Sequence, residues 1–361
     1  MEELSTTSLE IAEQKTQASP PQLADGPLYV VGIWRSGTSL FYALLNQHPQ
    51  IALTYEDDLV FLRPIFWLPR KTASWLARWD FFNGAVVRHK IDTSRIPENI
   101  SDLKAASDAV HVQYARQKKT ATIWGCKSPT YFDMLSDISA TFPKAKFIII
   151  WRDLRGICRS IAKAAEGPSF FRRKGIMLRA LLGYRQMKLQ CDRLLADGAP
   201  VYQIYYEDLV SDPTAVMKGV CEFLQIPFDK RMTLLEGADR SAIDDGKHHS
   251  MVKSTAIRGV RDRSDSLPPA LDAKIDRYSR LWREQEGGNW PAYPERPEGD
   301  LSKPSIWEIN YDRICYWALW FSYYMIPVVY SFVPLNLWKK YRQFNGKSFS
   351  WEKLKKDASS D

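Results

Sequence analysis

The sequence is poor in the features that build metal centres and disulfide frameworks. Its five cysteines, Cys126, Cys158, Cys191, Cys221 and Cys315, are odd in number, and none stands in a CxxC pair. That argues against a zinc site or a disulfide scaffold and fits free thiols in a reducing cytosol. The first 25 residues hold no apolar run; they carry Glu2, Glu3, Glu10 and Glu13 and Pro20-Pro21. They read as a flexible polar arm over 1–25, with no secretory signal or N-terminal anchor. Internal repeats are absent. A strong charge of one sign is absent too: 50 Lys and Arg face 42 Asp and Glu, a formal +8. That balance suits an anionic ligand, an anionic membrane surface or nucleic acid alike, and selects none of them.

What is present is enough apolar material for a core. Apolar residues make 45% of 361 positions and charged residues 25%, proportions of a folded chain. The length allows one large α/β domain with appendages or two modest domains. Leu28 to Ile33 reads as a buried strand. Thr38 to Gln47 reads as a helix with Leu40, Phe41, Leu44 and Leu45 on one face, stopped by His48-Pro49. Lys146 to Trp151 and Val201 to Tyr206 are further strand candidates; Leu154 to Ala165, Thr214 to Leu224 and Leu271 to Glu286 are helix candidates. Alternating strands and helices predict an α/β fold, a parallel sheet flanked by helices. Residues 59–87 are rich in Phe, Trp and Arg with Pro64 and Pro69 as breakers, and Lys104 to Lys119 is amphipathic; 59–120 is expected to be a helical insertion or lid. Residues 237–269 read as loop, and Gly287 to Pro304 as a linker.

Two stretches carry chemistry. The loop Gly32-Ile33-Trp34-Arg35-Ser36-Gly37-Thr38-Ser39 lies between a strand and a helix start. Gly32, Gly37 and Ser39 keep the frame of the GxxxxGK[ST] phosphate loop, but Thr38 stands at the lysine position. Glycines and a helix start still favour an anion. The cation that grips the β- and γ-phosphates is missing, which argues against ATP or GTP hydrolysis; Arg35 supplies a cation elsewhere. The second stretch is Arg152 after the 146–151 strand, with Ser160 about two turns down the next helix and Arg155 and Arg159 beside it. A guanidinium fork and a hydroxyl suit a second phosphate. On its own, Arg152-Asp153 is also a strand-end ion pair. Together the two stretches match a nucleotide with phosphates at both 5′ and 3′ positions.

Both stretches resemble the donor-binding elements of the sulfotransferase superfamily, over roughly residues 28 to 285. The resemblance is to the branch with an RSGT-type loop, which includes the tyrosylprotein and many bacterial enzymes; the cytosolic steroid and phenol enzymes carry lysine where Arg35 stands. It implies a P-loop-like sulfotransferase domain over 26–300 and 3′-phosphoadenosine 5′-phosphosulfate (PAPS) as co-substrate. Arg35, Ser36, Gly37, Thr38 and Ser39 would meet the 5′-phosphosulfate, Arg152 and Ser160 the 3′-phosphate, and Tyr206, in Tyr206-Glu207-Asp208-Leu209, would approach the donor. Sulfuryl transfer needs a base, cations for the sulfuryl oxygens and in-line oxygens; no metal is demanded. By resemblance Glu56 is the base, with Lys127 and Arg35 stabilising the transition state. Glu56 also reads as one of a solvated acidic trio, Glu56-Asp57-Asp58, and Lys127 as a surface lysine. A histidine base stays open, with His48, His89, His248 and His249 as candidates. A late loop, Lys247 to Arg263, would close over the donor.

Ile314 to Trp338 is uncharged and very aromatic, and Lys339, Lys340, Arg342, Lys347, Lys353, Lys355 and Lys356 follow it. Its length would cross a bilayer, but its Trp and Tyr content and Pro327 and Pro334 favour an interfacial position. Residues 301–361 are therefore expected to form an aromatic helical segment with a basic tail on the cytoplasmic face of a membrane; a core or homodimer-packing helix is the other reading. The acceptor would be a hydroxyl on a lipid-like or amphipathic molecule reaching the site between this segment and 59–87; no nucleic-acid partner is expected. The rivals are a P-loop kinase or other NTPase and a non-catalytic membrane-surface adaptor.

Overall fold

Five short strands form one parallel sheet: β1 (Leu28–Val31), β2 (Ile51–Tyr55), β3 (Ile123–Lys127), β4 (Lys146–Trp151) and β5 (Val201–Tyr205), in the order β2-β3-β1-β4-β5. The structure is a computed structural model and describes residues 21–67, 80–166, 170–173, 175–243, 252, 257, 267–287, 290, 302–334, 337 and 340. The three successive isoleucines of β4 suit a strand covered on both faces. Alternation then sorts the sheet residues. Tyr29, Val31, Phe147 and Ile149 enter one core and Leu28, Val30, Ile148 and Ile150 the other.

Helix α1 (Thr38–Leu45) follows β1. Between β2 and β3 come a 3₁₀ run (Leu59–Trp67), α2 (Asp80–Arg88), α3 (Leu103–Ser107), a π-helical turn (Asp108–Val112) and α4 (Gln113–Gln117). Helical segments and non-helical stretches, such as 89–92 and 96–102, alternate over the described part of 59–120. α5 (Leu135–Thr141) follows β3, α6 (Leu154–Ala165) and α7 (Ile176–Ala196) follow β4, and α8 (Tyr206–Ser211) and α9 (Pro213–Leu224) follow β5. α10 (Pro269–Glu286) and α11 (Ile306–Ser331) complete the described helices.

Several elements depart from expectation. β2, β3 and α7 carry no predicted element. Trp124-Gly125-Cys126-Lys127 lies within β3. Gly125 permits this, because a Cβ there would lie 2.0 Å from the Leu28 carbonyl oxygen of β1. Tyr206 opens α8 instead of ending a strand. The C-terminal helix starts at Ile306, eight residues before the aromatic run, and is not a detached appendage: Tyr316 is 1% exposed within the main core. No described helix is long and apolar enough to cross a membrane. The arm before Pro21, residues 68–79, His248, His249, nearly all of the 247–263 loop and most of the basic tail lie outside the described residues.

Candidate active site

The chain leaves β1 toward β2 on one side and later enters β4 on the other, so the winding reverses beside β1. Open parallel sheets bind ligands beyond the strand ends at such a point. Four of those ends supply the predicted residues: the glycine loop after β1, Glu56 after β2, Lys127 closing β3 and Arg152 after β4.

The glycine loop leaves polar groups open at the start of α1. A Cβ on Gly32 would meet Ser36 Oγ at 2.5 Å and the Ile150 carbonyl oxygen at 2.7 Å. Gly37 has φ +98°, and a Cβ there would press into the Tyr206 ring at 2.3 Å. No side chain caps the start of α1, so its first N–H groups are open to a ligand. Ser36 Oγ is buried without a hydrogen-bond partner, an unmet polar group that a bound anion would satisfy. The start of α6 differs: Asp153 accepts from the N–H groups of Arg155 and Gly156. An anion near α6 must therefore be held by side chains.

Arg152 and Ser160 are placed for that, and they join the first loop directly. Arg152 Nη1 donates to the Arg35 carbonyl at 2.6 Å, and its guanidinium lies 4.1 Å from the Tyr206 ring centre. Arg35 Nε donates to Ser160 Oγ at 2.9 Å. The two elements that looked separate in sequence are bridged by Arg35. Arg155 does not serve the site: it is buried and bound to Asp272 and Asp276, fastening α10 to α6. Arg159 pairs with Asp153 at 3.6 Å.

Glu56 and Lys127 meet because β2 and β3 end in register, Tyr55 opposite Lys127. Lys127 is fully buried, not a surface lysine. Its Nζ lies 2.6 Å from Glu56 Oε1, 3.4 Å from Ser39 Oγ and 3.5 Å from the Tyr55 ring centre. Burial pulls the Lys127 ammonium below its usual pKa, and the Glu56 carboxylate opposes that shift.

Glu56 and Asp58 have φ of +47° and +56°, a region that costs roughly 1–3 kcal/mol for a non-glycine residue. Neighbours hold this strained turn. Arg88 Nη1 donates to the carbonyls of Tyr55 and Glu56, both at 2.9 Å. Asp58 accepts from Ser128 at 2.8 Å and Thr130 at 2.5 Å; burial raises its carboxyl to about 6 against those hydrogen bonds. Asp57 accepts from Thr54 at 2.5 Å, Tyr131 at 3.0 Å and the Leu59 N–H at 3.2 Å, and pairs with His111 Nε2 at 2.6 Å. Burial works to raise the Asp57 carboxyl, but His111, the Thr54 hydroxyl and the Cys126 thiol hold it well below the usual carboxylate range. The acidic trio is thus not a solvated cluster.

His111, Arg88, Thr130 and Tyr131 carry no signal in the sequence. Asp57, His111 and Cys126 bring ligand-type atoms within 4.8 Å of one another, but the Asp57 and His111 atoms already bond each other. His48 and His89 are structural. His48 Nε2 bonds the Pro227 carbonyl and its Nδ1 accepts from the Gln50 N–H. His89 Nε2 accepts from the Tyr55 N–H, and burial lowers its pKa to about 4.

A model of the sulfotransferase family matches residues 27–230, and the chain belongs to that family. It is 23% identical over 210 residues to a putative protein-tyrosine sulfotransferase of Caenorhabditis briggsae, covering 57% of this chain and 67% of that protein. It is 25% identical over 255 residues to protein-tyrosine sulfotransferase A of Caenorhabditis elegans, covering 69% of this chain and 60% of the relative. The fold resembles the sulfotransferase domain of the Synechococcus PCC 7002 olefin synthase, with a TM-score of 0.50, 20% identity, and coverage of 74% of this chain and 98% of that domain.

Proposed function

We propose that the chain transfers the sulfuryl group of PAPS to the hydroxyl of an amphipathic acceptor. The carrying observation is Lys127, whose Nζ bridges the candidate base Glu56 at 2.6 Å and Ser39 of the glycine loop at 3.4 Å. Backbone N–H groups and the hydroxyls of Ser36, Thr38 and Ser39 would hold the 5′-phosphosulfate, with Arg35. Arg152 and Ser160 would take the 3′-phosphate, and Tyr206 would flank them. An ammonium beside Glu56 favours its carboxylate form, which a base requires. Glu56 accepts the acceptor hydroxyl's proton as that oxygen bonds to sulfur. The sulfur–oxygen bond to the nucleotide phosphate breaks, and 3′-phosphoadenosine 5′-phosphate (PAP) departs. Lys127 and Arg35 neutralise the oxygens on which charge builds.

An amphipathic acceptor is supported by the aromatic walls beside this edge. Trp34 of the loop packs 5.5 Å from Phe170, Arg35 lies 5.8 Å from the Phe171 ring, and α11 packs on the 3₁₀ run that follows Glu56. The relatives are named for tyrosine, and a phenol hydroxyl suits the same base. The test is calorimetry with PAP, followed by transfer of labelled sulfate to a cell extract split into lipid and protein fractions. Tight PAP binding without magnesium and label in the lipid fraction are expected. Label confined to protein would replace the lipid-like acceptor by a peptide. Binding of ATP alone, and only with magnesium, would replace the whole reading by an NTPase.

A further inference from the structure

Helix α11 turns two different faces to its surroundings. Its inner face is tethered by polar contacts. Tyr316 OH donates to Asp133 Oδ2 at 2.9 Å, Asp312 Oδ2 binds Lys274 at 2.5 Å and Tyr278 OH at 2.7 Å, and Glu308 pairs with Arg277 at 2.9 Å. Leu319 packs onto Gly175, where a Cβ would lie 2.5 Å from its Cδ1. The outer face carries Trp307, Tyr311, Ile314 and Phe321 in the open, Trp307 at 81% exposure, with Phe332 at 72% just beyond the helix end. Spacings of four, three and seven put those helix residues on one stripe. Soluble surfaces rarely expose so continuous an apolar run.

Between 306 and 322 the exposed side chains of α11 include a single charge, Arg313, since Asp312 is buried and Glu308 is half-buried and paired; Arg313 flanks the stripe, about a third of a turn away on the side of the cavity. A cavity of about 320 Å³ opens alongside, between α7, α10 and α11. Tyr278, Trp282 and Tyr316 line it together with Arg185, Arg313 and Trp317. Lys339, Lys340, Arg342 and Lys347 follow in the sequence.

We propose that the outer face of α11 docks flat on an anionic lipid bilayer, with the headgroup of a bound lipid entering the cavity beside Arg313. Trp and Tyr sit at the depth they prefer, between headgroups and acyl chains. The tethers keep the helix in the plane, because a spanning orientation would break every one of them. Docking does not depend on the sulfuryl-transfer reading, although it would hold the candidate site beside a membrane-borne acceptor.

The test is co-sedimentation of the full chain with vesicles of phosphatidylcholine alone or mixed with phosphatidylserine. The wild type is expected to bind the mixed vesicles more tightly, and less so at high salt. Replacing two large exposed side chains in Trp307→Ser/Phe321→Ser is expected to weaken binding on the order of a hundredfold. Arg313→Glu is expected to cost about tenfold on the mixed vesicles and little on phosphatidylcholine. Unchanged thermal melting would show that the variants remain folded, and calorimetry with PAP on the same samples reads the donor site separately. Failure of the wild type to bind vesicles overturns the proposal, as does undiminished binding by the double variant. A dimer in light scattering that the double variant dissolves would instead assign the face to a second copy.

Discussion

Lys127 Nζ lies 2.6 Å from Glu56 Oε1 while its side chain is fully buried. A buried ammonium is costly unless paired, so this lysine is held in place and cannot drift to solvent. Lys127→Ala is expected to lower kcat about 10²–10³-fold, the loss typical of a removed transition-state donor. Steady-state kinetics at saturating donor measures it. A loss below about tenfold would remove Lys127 from the reaction.

Glu56→Gln keeps the shape of the strained turn and the contact with Lys127 but removes the carboxylate proposed as the base. The expected fall in kcat is about 10²–10⁴-fold, with PAP affinity unchanged in calorimetry. Full turnover by the variant would return the base to another group.

Arg152 and Arg155 are three residues apart but should fail differently. Arg152→Ala is expected to weaken PAP binding about 10–100-fold, by loss of a charge-assisted contact, with little change in melting. Arg155→Ala leaves Asp272 and Asp276 without their guanidinium and is expected to cost about 3–5 kcal/mol of stability. Urea unfolding of both variants, beside PAP titrations, would separate the two roles.

Asp57 and His111 form the anchor beneath Glu56. The folded Asp57 carboxyl lies below its unfolded value of about 3.9. Its stabilisation is therefore present above that value and is lost as pH falls through the folded one. His111→Ala is expected to destabilise the chain by about 3–5 kcal/mol near neutral pH and to flatten the acid limb of stability. It should also lower kcat with donor binding kept, because the Glu56 turn loses its support. Urea melts from about pH 3 to about pH 7 test the linkage; an acid limb as steep as the wild type's would exclude it.

Asp58 has the opposite sign. Its carboxyl is raised to about 6 by burial, so the favourable neutral form is present at low pH and is lost as pH rises from about 4 through about 6. Asp58→Asn is expected to stabilise the chain by about 1–2 kcal/mol near pH 8 and to be neutral near pH 4. Equal effects at both pH values would refute the assignment.

Local pattern made much of the sheet legible. β1 and β4 are apolar runs, β5 is a β-branched and aromatic run around Gln203, and the glycine loop announces itself by its frame. β2 and β3 are hidden because five-residue strands beside Pro49, or containing Gly125 and Lys127, have no distinctive composition. Only pairing with neighbours makes them strands. α7 is different: Ile176, Ala180, Tyr184, Met187, Cys191 and Leu194 are buried at helical spacing, a period that the sequence itself carries. The aromatic run near the C-terminus marks a helix, and its start at Ile306 follows a local cap, Ser305, whose Oγ accepts from the Glu308 N–H at 3.1 Å.

The sequence by itself determined a glycine loop in the phosphate-loop frame that lacks the hydrolase lysine, a second basic element after a strand, and the alternation that makes a parallel sheet. Those follow from neighbours in the chain, whose spacing is covalent. Only the tertiary structure decided that Arg35 reaches Ser160, that Lys127 joins Glu56 to Ser39, that Arg155 is a clamp and not a ligand, and that Asp57 is a buried anchor. Those relations span 71 to 125 residues for the hydrogen bonds of Glu56 and Ser160. They exist because parallel strands bring distant segments to one edge, where burial and register, not sequence order, choose the partners.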